Sequence, residues 1–241
     1  MDPAPGLTST DRLTEVRPKT LDHVALWVAD RDRIADFLTE RLSMHVIEQT
    51  DKFTLVGTDA RRGKLTLFVA DGPRERGALK HVGLRVSDLE GALQGLHGIE
   101  LDRVDGAAYF DVAEGLRLGL LEADTDVEYD LDHVALFSAQ PDETTKQYRE
   151  FGFVPSGDRR VEVGGAFVEF HEGDPGDPER PLLNHLAVLV ESADETLEEA
   201  KRNGMEVADV VDAPNTYAVF VWGPERVKIE YVEQKPTFAL K

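Results

Sequence analysis

The stretch LDHVALWVAD at residues 21–30 returns as LDHVALFSAQ at residues 131–140. Looser copies, KHVGLRVSDLEGA and NHLAVLVESADE, begin at Lys80 and Asn184. Every copy places a histidine at the start of an apolar strand, and these repeat histidines are His23, His81, His133 and His185. Self-similarity at a period of about fifty residues predicts a chain built from four copies of one structural unit.

An amphipathic helix is predicted after each of these strands. The clearest one starts near Ser192, carries Lys201 and Arg202 in its last turn, and ends at Gly204. Weaker helical segments cover residues 30–42, 88–96 and 142–151. Short alternating runs such as KLTLFVA, LRLGLLEA, GAFVEFHE and VKIEYVE follow the helices and are typical of strands. The unit is therefore one strand, one helix, and two or three further strands.

Four such units predict an α+β protein in which the units pair into two halves, each closing a curved sheet around a cavity. The first half is expected to span residues 20–124 and the second residues 129–235, separated by the acidic stretch EADTDVEYD. Residues 1–19 are interpreted as a loose N-terminal arm and residues 236–241 as a C-terminal tail.

Composition restricts the possible partners. Acidic residues outnumber basic ones by 47 to 27, and the formal net charge of −20 disfavours binding to nucleic acid or to anionic membranes. The chain has no cysteine, so a metal site would have to use histidine and carboxylate ligands. No apolar run approaches the roughly 18 residues of a membrane span. We therefore expect a cytoplasmic protein that binds a small molecule.

The last strands of the units indicate where a metal would bind. Aligning GKLTLFV with GAFVEFH sets Leu67 opposite Glu169, and Leu121 in GLRLGLLE is taken as the counterpart of Glu230 in ERVKIEYV. The first half then has two histidines without a carboxylate and is interpreted as a degenerate site. The second half has the complete predicted ligand set of His133, Glu169, His185 and Glu230. Two histidines with one or two carboxylates suit a divalent transition metal.

Simpler interpretations stay open for single residues of this set. One histidine among apolar neighbours is more often a core residue than a ligand, and one glutamate in a strand more often faces solvent. Four histidines at equivalent positions, with glutamates at matched positions beside them, favour an inherited ligand arrangement.

These features resemble the vicinal oxygen chelate superfamily, which includes glyoxalase I, fosfomycin resistance proteins, methylmalonyl-CoA epimerase, extradiol ring-cleaving dioxygenases and bleomycin-resistance proteins. The resemblance covers roughly residues 20–235 as four βαβββ modules. It implies a glyoxalase-like fold in which two modules form an open barrel around a site.

Glyoxalase I and its isomerase relatives carry a further glutamate on the strand before the second histidine, and Glu169 lies in the matching place. The resemblance then implies a His-Glu-His-Glu set that leaves two octahedral positions for neighbouring oxygens of a substrate. The leading hypothesis is a metal-dependent isomerase or lyase of glyoxalase type. It would use Zn, Ni, Mn or Co, with Glu230 or Glu169 as the catalytic base.

Two alternatives stay open. Extradiol dioxygenases commonly have four modules, and similarity to them implies Fe(II) bound by His133, His185 and Glu230. Their catalytic tyrosine, ten residues before the glutamate, falls on Phe220. The third possibility is a metal-free protein that sequesters a ligand, as bleomycin-resistance proteins do.

Substrate contacts are expected from side chains on the inward faces of the same strands. The candidates are Phe167, His171, Phe220 and Trp222. Because the second half holds the whole predicted site, a homodimer is possible but is not required for chemistry.

Overall fold

The computed structural model describes residues 16–241, so most of the predicted N-terminal arm, residues 1–15, lies outside the described residues. The described chain forms sixteen strands, four α-helices and two short 3-10 helices, Tyr148–Phe151 and Pro224–Arg226. The predicted α+β fold of four βαβββ modules is confirmed.

The modules follow one another along the chain. Module 1 contains β1 (Thr20–Val28), α1 (Arg31–Arg41), β2 (His45–Gln49), β3 (Phe53–Gly57) and β4 (Lys64–Val69). Module 2 contains β5 (Leu79–Val86), α2 (Leu89–Gln94), β6 (Asp102–Val104), β7 (Ala107–Ala113) and β8 (Leu116–Glu122). Module 3 contains β9 (Asp130–Ser138), α3 (Pro141–Gln147), β10 (Val154–Gly157), β11 (Arg160–Val163) and β12 (Ala166–Glu172). Module 4 contains β13 (Leu183–Leu189), α4 (Ala193–Arg202), β14 (Val207–Asp212), β15 (Thr216–Trp222) and β16 (Lys228–Gln234).

Local sequence signals define the helix ends. The side chains of Asp30, Asp88 and Ser192 each accept a hydrogen bond from the backbone N–H three residues later, which satisfies one free donor of the first turn. α3 lacks such a side-chain cap and begins at Pro141, whose fixed φ suits the first helical position. Past the end of α4, Gly204 has a φ of 70°, the left-handed conformation that ends many helices.

The modules pair differently from the prediction. One eight-stranded sheet has the order β14-β15-β16-β13-β1-β4-β3-β2, so module 1 pairs with module 4. The other has the order β10-β11-β12-β9-β5-β8-β7-β6, so module 2 pairs with module 3. The predicted grouping into residues 20–124 and residues 129–235 is therefore corrected, because each sheet takes one module from each half.

Small residues two places after the repeat histidines allow the central strands to pair. β1 runs antiparallel to β13, and β5 runs antiparallel to β9. Gly83 lies opposite His133, and a Cβ on this glycine would come within 2.3 Å of the imidazole. The other small residues opposite a repeat histidine are Ala25, Ala135 and Ala187. The pairing thus requires a small side chain where the histidine of the partner strand arrives.

The central strands divide the apolar core from a polar face. Along β1, Val24, Leu26 and Val28 are fully buried in the core. His23 and Ala25 alternate with them and point to the opposite face of the sheet. One continuous hydrophobic core contains residues of both sheets and of the helices α1, α2 and α4. The repeat histidines therefore lie on the sheet faces that this core leaves free.

Separate expression of the two halves tests the exchanged pairing. Residues 16–124 and residues 125–241 would each contain two modules that belong to different sheets. We expect neither half alone to give a folded monomer, because each module would lack the partner of its central strand. Co-expression should give a 1:1 complex, measured by size-exclusion chromatography and circular dichroism. A monomeric residue 125–241 fragment that unfolds cooperatively would contradict the exchange; the full chain is the control.

Candidate metal centres

The structure does not bring the four predicted metal ligands together. They divide between two clusters of two histidines and one glutamate, and in each cluster the ligating atoms lie within 4.8 Å of one another. Site A consists of His23, His185 and Glu230. Site B consists of His81, His133 and Glu169. The N-terminal half supplies one histidine to each site, so its interpretation as a separate degenerate site is corrected.

Strand register shows which positions can carry a carboxylate. In every module the small residue two places after the repeat histidine pairs with one residue of the neighbouring parallel strand. These partners are Thr66, Gly119, Glu169 and Glu230 in modules 1 to 4. Thr66 therefore replaces Leu67, one residue earlier, and Gly119 replaces Leu121, two residues earlier, as the equivalents of the two glutamates. Leu67 is fully buried in the core. Each site keeps one carboxylate, and the second position holds threonine or glycine.

The ligating atoms of site A form a compact triangle. Nε2 of His23 lies 3.1 Å from Nε2 of His185, and Oε2 of Glu230 lies 3.1 and 2.8 Å from these two atoms. Three adjacent ligands of an octahedral ion at about 2.1 Å would be about 3.0 Å apart. Oε2 of Glu230 is buried and has no hydrogen-bond partner among the described residues. The donor set and its spacing therefore fit a divalent metal ion.

Side chains at β-bulges orient the two imidazoles of site A. The bulges fall at Asp22 and Asn184, the residues just before the histidines, and bring their side chains beside the rings. Oδ2 of Asp22 lies 2.8 Å from Nδ1 of His23, and Oδ1 of Asn184 lies 3.1 Å from Nδ1 of His185. When Nδ1–H donates to these oxygens, each Nε2 keeps a lone pair for a metal ion.

A buried ion pair holds Asp22 in place. Nζ of Lys64 donates to Oδ1 of Asp22 at 2.9 Å and to the carbonyl of Ala60 at 2.7 Å. Both charged side chains are 4% exposed. Burial alone would raise the pKa of Asp22, but the charges and hydrogen bonds of Lys64 and His23 together hold this pKa below its usual value. Asp22 is therefore an anionic acceptor for the His23 ring.

The charges of neighbouring groups decide where protons lie in site A. Burial alone would lower the pKa of His23, but Glu230 and Asp22 raise it to about 9. Burial alone would raise the pKa of Glu230, but the charges of His185 and His23 hold it far below its usual range. Burial lowers the pKa of His185. The cluster thus holds one proton on His23, and a metal ion would replace this proton.

Aromatic side chains surround the imidazole of His185. The ring centroids of Phe220 and Phe68 lie 5.1 and 6.1 Å from it, both edge to face. Trp27 packs on Phe68 at 5.3 Å. Phe220 therefore lies beside the metal cluster, and Trp222 follows two residues later on the same face of β15. These rings give site A an apolar lining suited to a flat molecule.

Site B is less compact than site A. Nε2 of His81 and Nε2 of His133 are 2.9 Å apart, but Oε1 of Glu169 lies 4.0 Å from each of them. That oxygen lies 2.6 Å from Nε2 of His171, whose Nδ1 is 2.9 Å from Nζ of Lys80. Glu169 is therefore held by His171 and turned away from the two histidines.

The bulge before His81 also differs from the others. It carries Lys80, where the other three strands have aspartate or asparagine. Oδ2 of Asp132 lies 2.7 Å from Nδ1 of His133, but a lysine cannot accept a hydrogen bond from His81. Burial, followed by the positive neighbours His133 and Lys80, lowers the pKa of His81 to about 3. One ring of site B thus lacks the oriented acceptor found throughout site A.

Two of the four predicted contact residues lie at site B instead of at the main cluster. Phe167 stacks on His133 with ring centroids 4.8 Å apart and an interplanar angle of 13°. The ring of His171 lies 6.4 Å from that of His81. Phe220 lies at site A, and Trp222 shares its face of β15 but contacts Arg226 and Lys228.

Comparison with known proteins supports the fold. Residues 20–108 match the sequence model of the Glyoxalase/Bleomycin resistance protein/Dioxygenase superfamily. A sequence comparison with curated proteins gives no match. None of the helices from residue 16 onward has the length and apolar character needed to cross a membrane.

Several solved structures are similar to the chain. A "putative dioxygenase" from Bacillus subtilis superposes with a TM-score of 0.76 at 18% identity, over 93% of this chain and 88% of that one. Glyoxalase I from Zea mays gives 0.70 at 15% identity, over 89% and 92%. The cppA protein from Streptococcus pneumoniae gives 0.61 at 14% identity, over 91% and 100%. At these identities the likeness concerns the fold alone.

Replacing Lys64 by methionine tests the ion pair behind His23. We expect the free energy of unfolding to fall by about 3–5 kcal/mol, because Asp22 would keep a buried charge without its main partner. Urea denaturation monitored by circular dichroism measures the loss. Lys201→Met is the control, since its pair with Glu198 is exposed and should contribute little to stability. Equal losses in the two variants would show that the buried pair has no special role.

Proposed function

We propose that this chain, a member of the glyoxalase, bleomycin resistance and dioxygenase superfamily, is a metal-dependent dioxygenase. Site A would be its active site, and the substrate would be a small planar molecule with two neighbouring oxygens. The observation that carries the proposal is the set of His23, His185 and Glu230, whose ligating atoms lie 2.8–3.1 Å apart. Two histidines and one carboxylate on one face of an ion are typical of non-haem Fe(II) oxygenases.

The number of ligands favours this reaction over the glyoxalase-type isomerisation that was the leading sequence hypothesis. That hypothesis required His133, Glu169, His185 and Glu230 around one ion, and these residues belong to different sites. At site A the second carboxylate position is Thr66. Three protein ligands leave half of an octahedral coordination sphere for other molecules, whereas four would leave two positions.

A ferrous ion at site A would supply open coordination positions and one-electron chemistry for dioxygen and a chelating substrate. The protein's own part is to hold and orient. Asp22 and Asn184 fix the rings of the two ligand histidines, and Glu230 balances part of the charge of the ion. Phe68 and Phe220 offer apolar faces that can align a planar substrate and exclude water.

Metal analysis of matched variants tests which glutamate belongs to the active site. We expect untagged protein reloaded anaerobically with Fe(II) to hold iron at site A. Glu230→Gln should weaken this binding by about 100-fold or more, since losing an orienting partner alone costs about 10–100-fold. Glu169→Gln, the equivalent change at site B, is the control and should keep the site A ion and its activity. Loss of all activity in Glu169→Gln alone would contradict the assignment.

Oxygen consumption separates the three candidate functions. The Fe(II)-loaded protein should consume dioxygen with a vicinal dihydroxybenzene in a panel of such compounds, measured with an oxygen electrode and by ultraviolet spectra of the products. Protein that holds Zn, Ni, Mn or Co, consumes no oxygen, and isomerises a hemithioacetal would support the glyoxalase-type reaction instead. Protein that holds less than about a tenth of an equivalent of any transition metal after reloading would support a metal-free binding protein.

Adding a fourth ligand to site A gives a further test. Thr66→Glu would place a second carboxylate where module 4 carries Glu230. We expect the variant to bind metal while oxygen consumption falls about tenfold or more, because one open coordination position becomes filled. Thr66→Val has a similar volume but no ligating group, and it should keep most of the activity. Unchanged oxygen consumption in Thr66→Glu would contradict the three-ligand mechanism.

A further inference from the structure

The residues directly across from the carboxylate positions differ in character between the two sites. In site A they are Leu55 and Phe220, which are apolar. In site B they are Tyr109 and Arg160. Cross-strand partners share one face of a sheet, so the side chain of Arg160 lies on the face that carries Glu169. Opposite its glutamate, site B therefore has a guanidinium group and site A has a phenyl ring.

Arg160 forms no ion pair with a carboxylate in the part of the chain that the structure describes. Its guanidinium carbon lies 3.5 Å from the centroid of Phe167, and its Nε is buried without a hydrogen-bond partner. The neighbouring Arg159 instead pairs with Asp142 at 3.1 Å. Arg160 differs from the exposed arginines in that its Nε is buried. Its planar fork of donors is therefore available to an external anion.

Aromatic rings provide a surface beside this guanidinium. Phe167, under Arg160, stacks on the ring of His133. The ring of Tyr109 lies 4.8 Å from that of His81. It also occupies the space that a side chain at position 119 would need, since a Cβ there would come within 2.6 Å of the tyrosine ring. Because Arg160 and His133 cover the two faces of Phe167, an organic body would contact the edge of Phe167 and the ring of Tyr109 while its anionic group reaches Arg160.

Of the other charged groups at site B, Lys80 is positive, and the carboxylates of Asp132 and Glu169 each contact a histidine. Lys80 stands at the bulge position where site A has a hydrogen-bond acceptor. The carboxylate of Glu169, which would repel an anion, already contacts His171 at 2.6 Å. The side chains of Glu169 and His171 are 28% and 35% exposed, so solvent reaches this part of the site.

We infer that site B is a binding site for a small organic carboxylate, held by the guanidinium of Arg160 and supported by Phe167 and Tyr109. A carboxylate matches the two parallel N–H donors of one arginine. A phosphate group can also pair with arginine, but this face of site B is built from strands and adds no helix start with free backbone N–H donors for the second charge. The inference concerns site B and does not depend on the reaction proposed at site A.

Calorimetric titration of the full, metal-loaded chain with benzoate tests the inference. Arg160→Gln should weaken benzoate binding by about tenfold or more, because the charged hydrogen bonds to the carboxylate are lost. Arg159→Gln is the matched control, with the same change at the adjacent residue, and should bind benzoate within about twofold of the original chain. Arg160→Lys keeps the charge without the planar fork, so it should give an intermediate loss and serves if the glutamine variant does not fold.

Tryptophan fluorescence shows which site is occupied. Both tryptophans of the chain, Trp27 and Trp222, lie on site A strands, beside Phe68 and after Phe220. Benzoate at site B should therefore give heat without tryptophan quenching, and Glu230→Gln should bind it equally well. Tryptophan quenching that disappears in Glu230→Gln would place benzoate on the site A metal and overturn the inference.

Four further results would also overturn it. The first is equal binding of benzoate by the original chain and by Arg160→Gln. The second is equal binding of benzamide, the neutral analogue. The third is displacement of benzoate by lower concentrations of inorganic phosphate. The fourth is the absence of measurable heat with benzoate and with acetate up to about 10 mM, well above the dissociation constant expected of a specific site.

Discussion

The antiparallel pairing of β1 with β13, and of β5 with β9, is the constraint on which both sites depend. It sets each repeat histidine opposite alanine or glycine, so two imidazoles can meet across the central strands. In site A this joins His23 and His185, which are 162 residues apart in the chain. A shift of one residue along either strand would turn the histidines toward the core and remove the site. The fold and the metal clusters therefore have one physical cause.

The same pairing of central strands carries two sites with different chemical environments. At site A, a bulge residue with a side-chain oxygen orients each ligand ring, and Lys64 neutralises the buried Asp22. At site B, Lys80 replaces one of these acceptors and His171 takes the carboxylate. Only a few side chains differ, but each change weakens a condition that a metal ion requires. Both sites therefore have the same strand register, but they favour different ligands.

The modules could be predicted from sequence because their signals are local: a repeated histidine strand, a cap such as Asp30, and a glycine after the last helix. The partner of each module could not be predicted, because pairing depends on contacts between distant strands. One signal was present in the sequence: the small residue two places after each histidine indicates that another histidine arrives opposite it. Leu67 was aligned with Glu169 although Thr66 is the true equivalent. An error of one residue moves a strand side chain to the other face.

The charge of the whole chain acts in opposite directions at the two sites. A formal charge of −20 attracts divalent cations and repels organic anions over roughly the 10 Å that salt leaves unscreened. At site A the overall negative charge adds to the effect of the ligands and favours a cation. The apolar lining of the site is therefore free to contact the substrate. An anion at site B must be held against the general field, so its local positive groups have to be unpaired and close. Arg160 meets this condition because no described carboxylate neutralises it. A guanidinium group without an ion pair is therefore the feature that the inferred anion site requires.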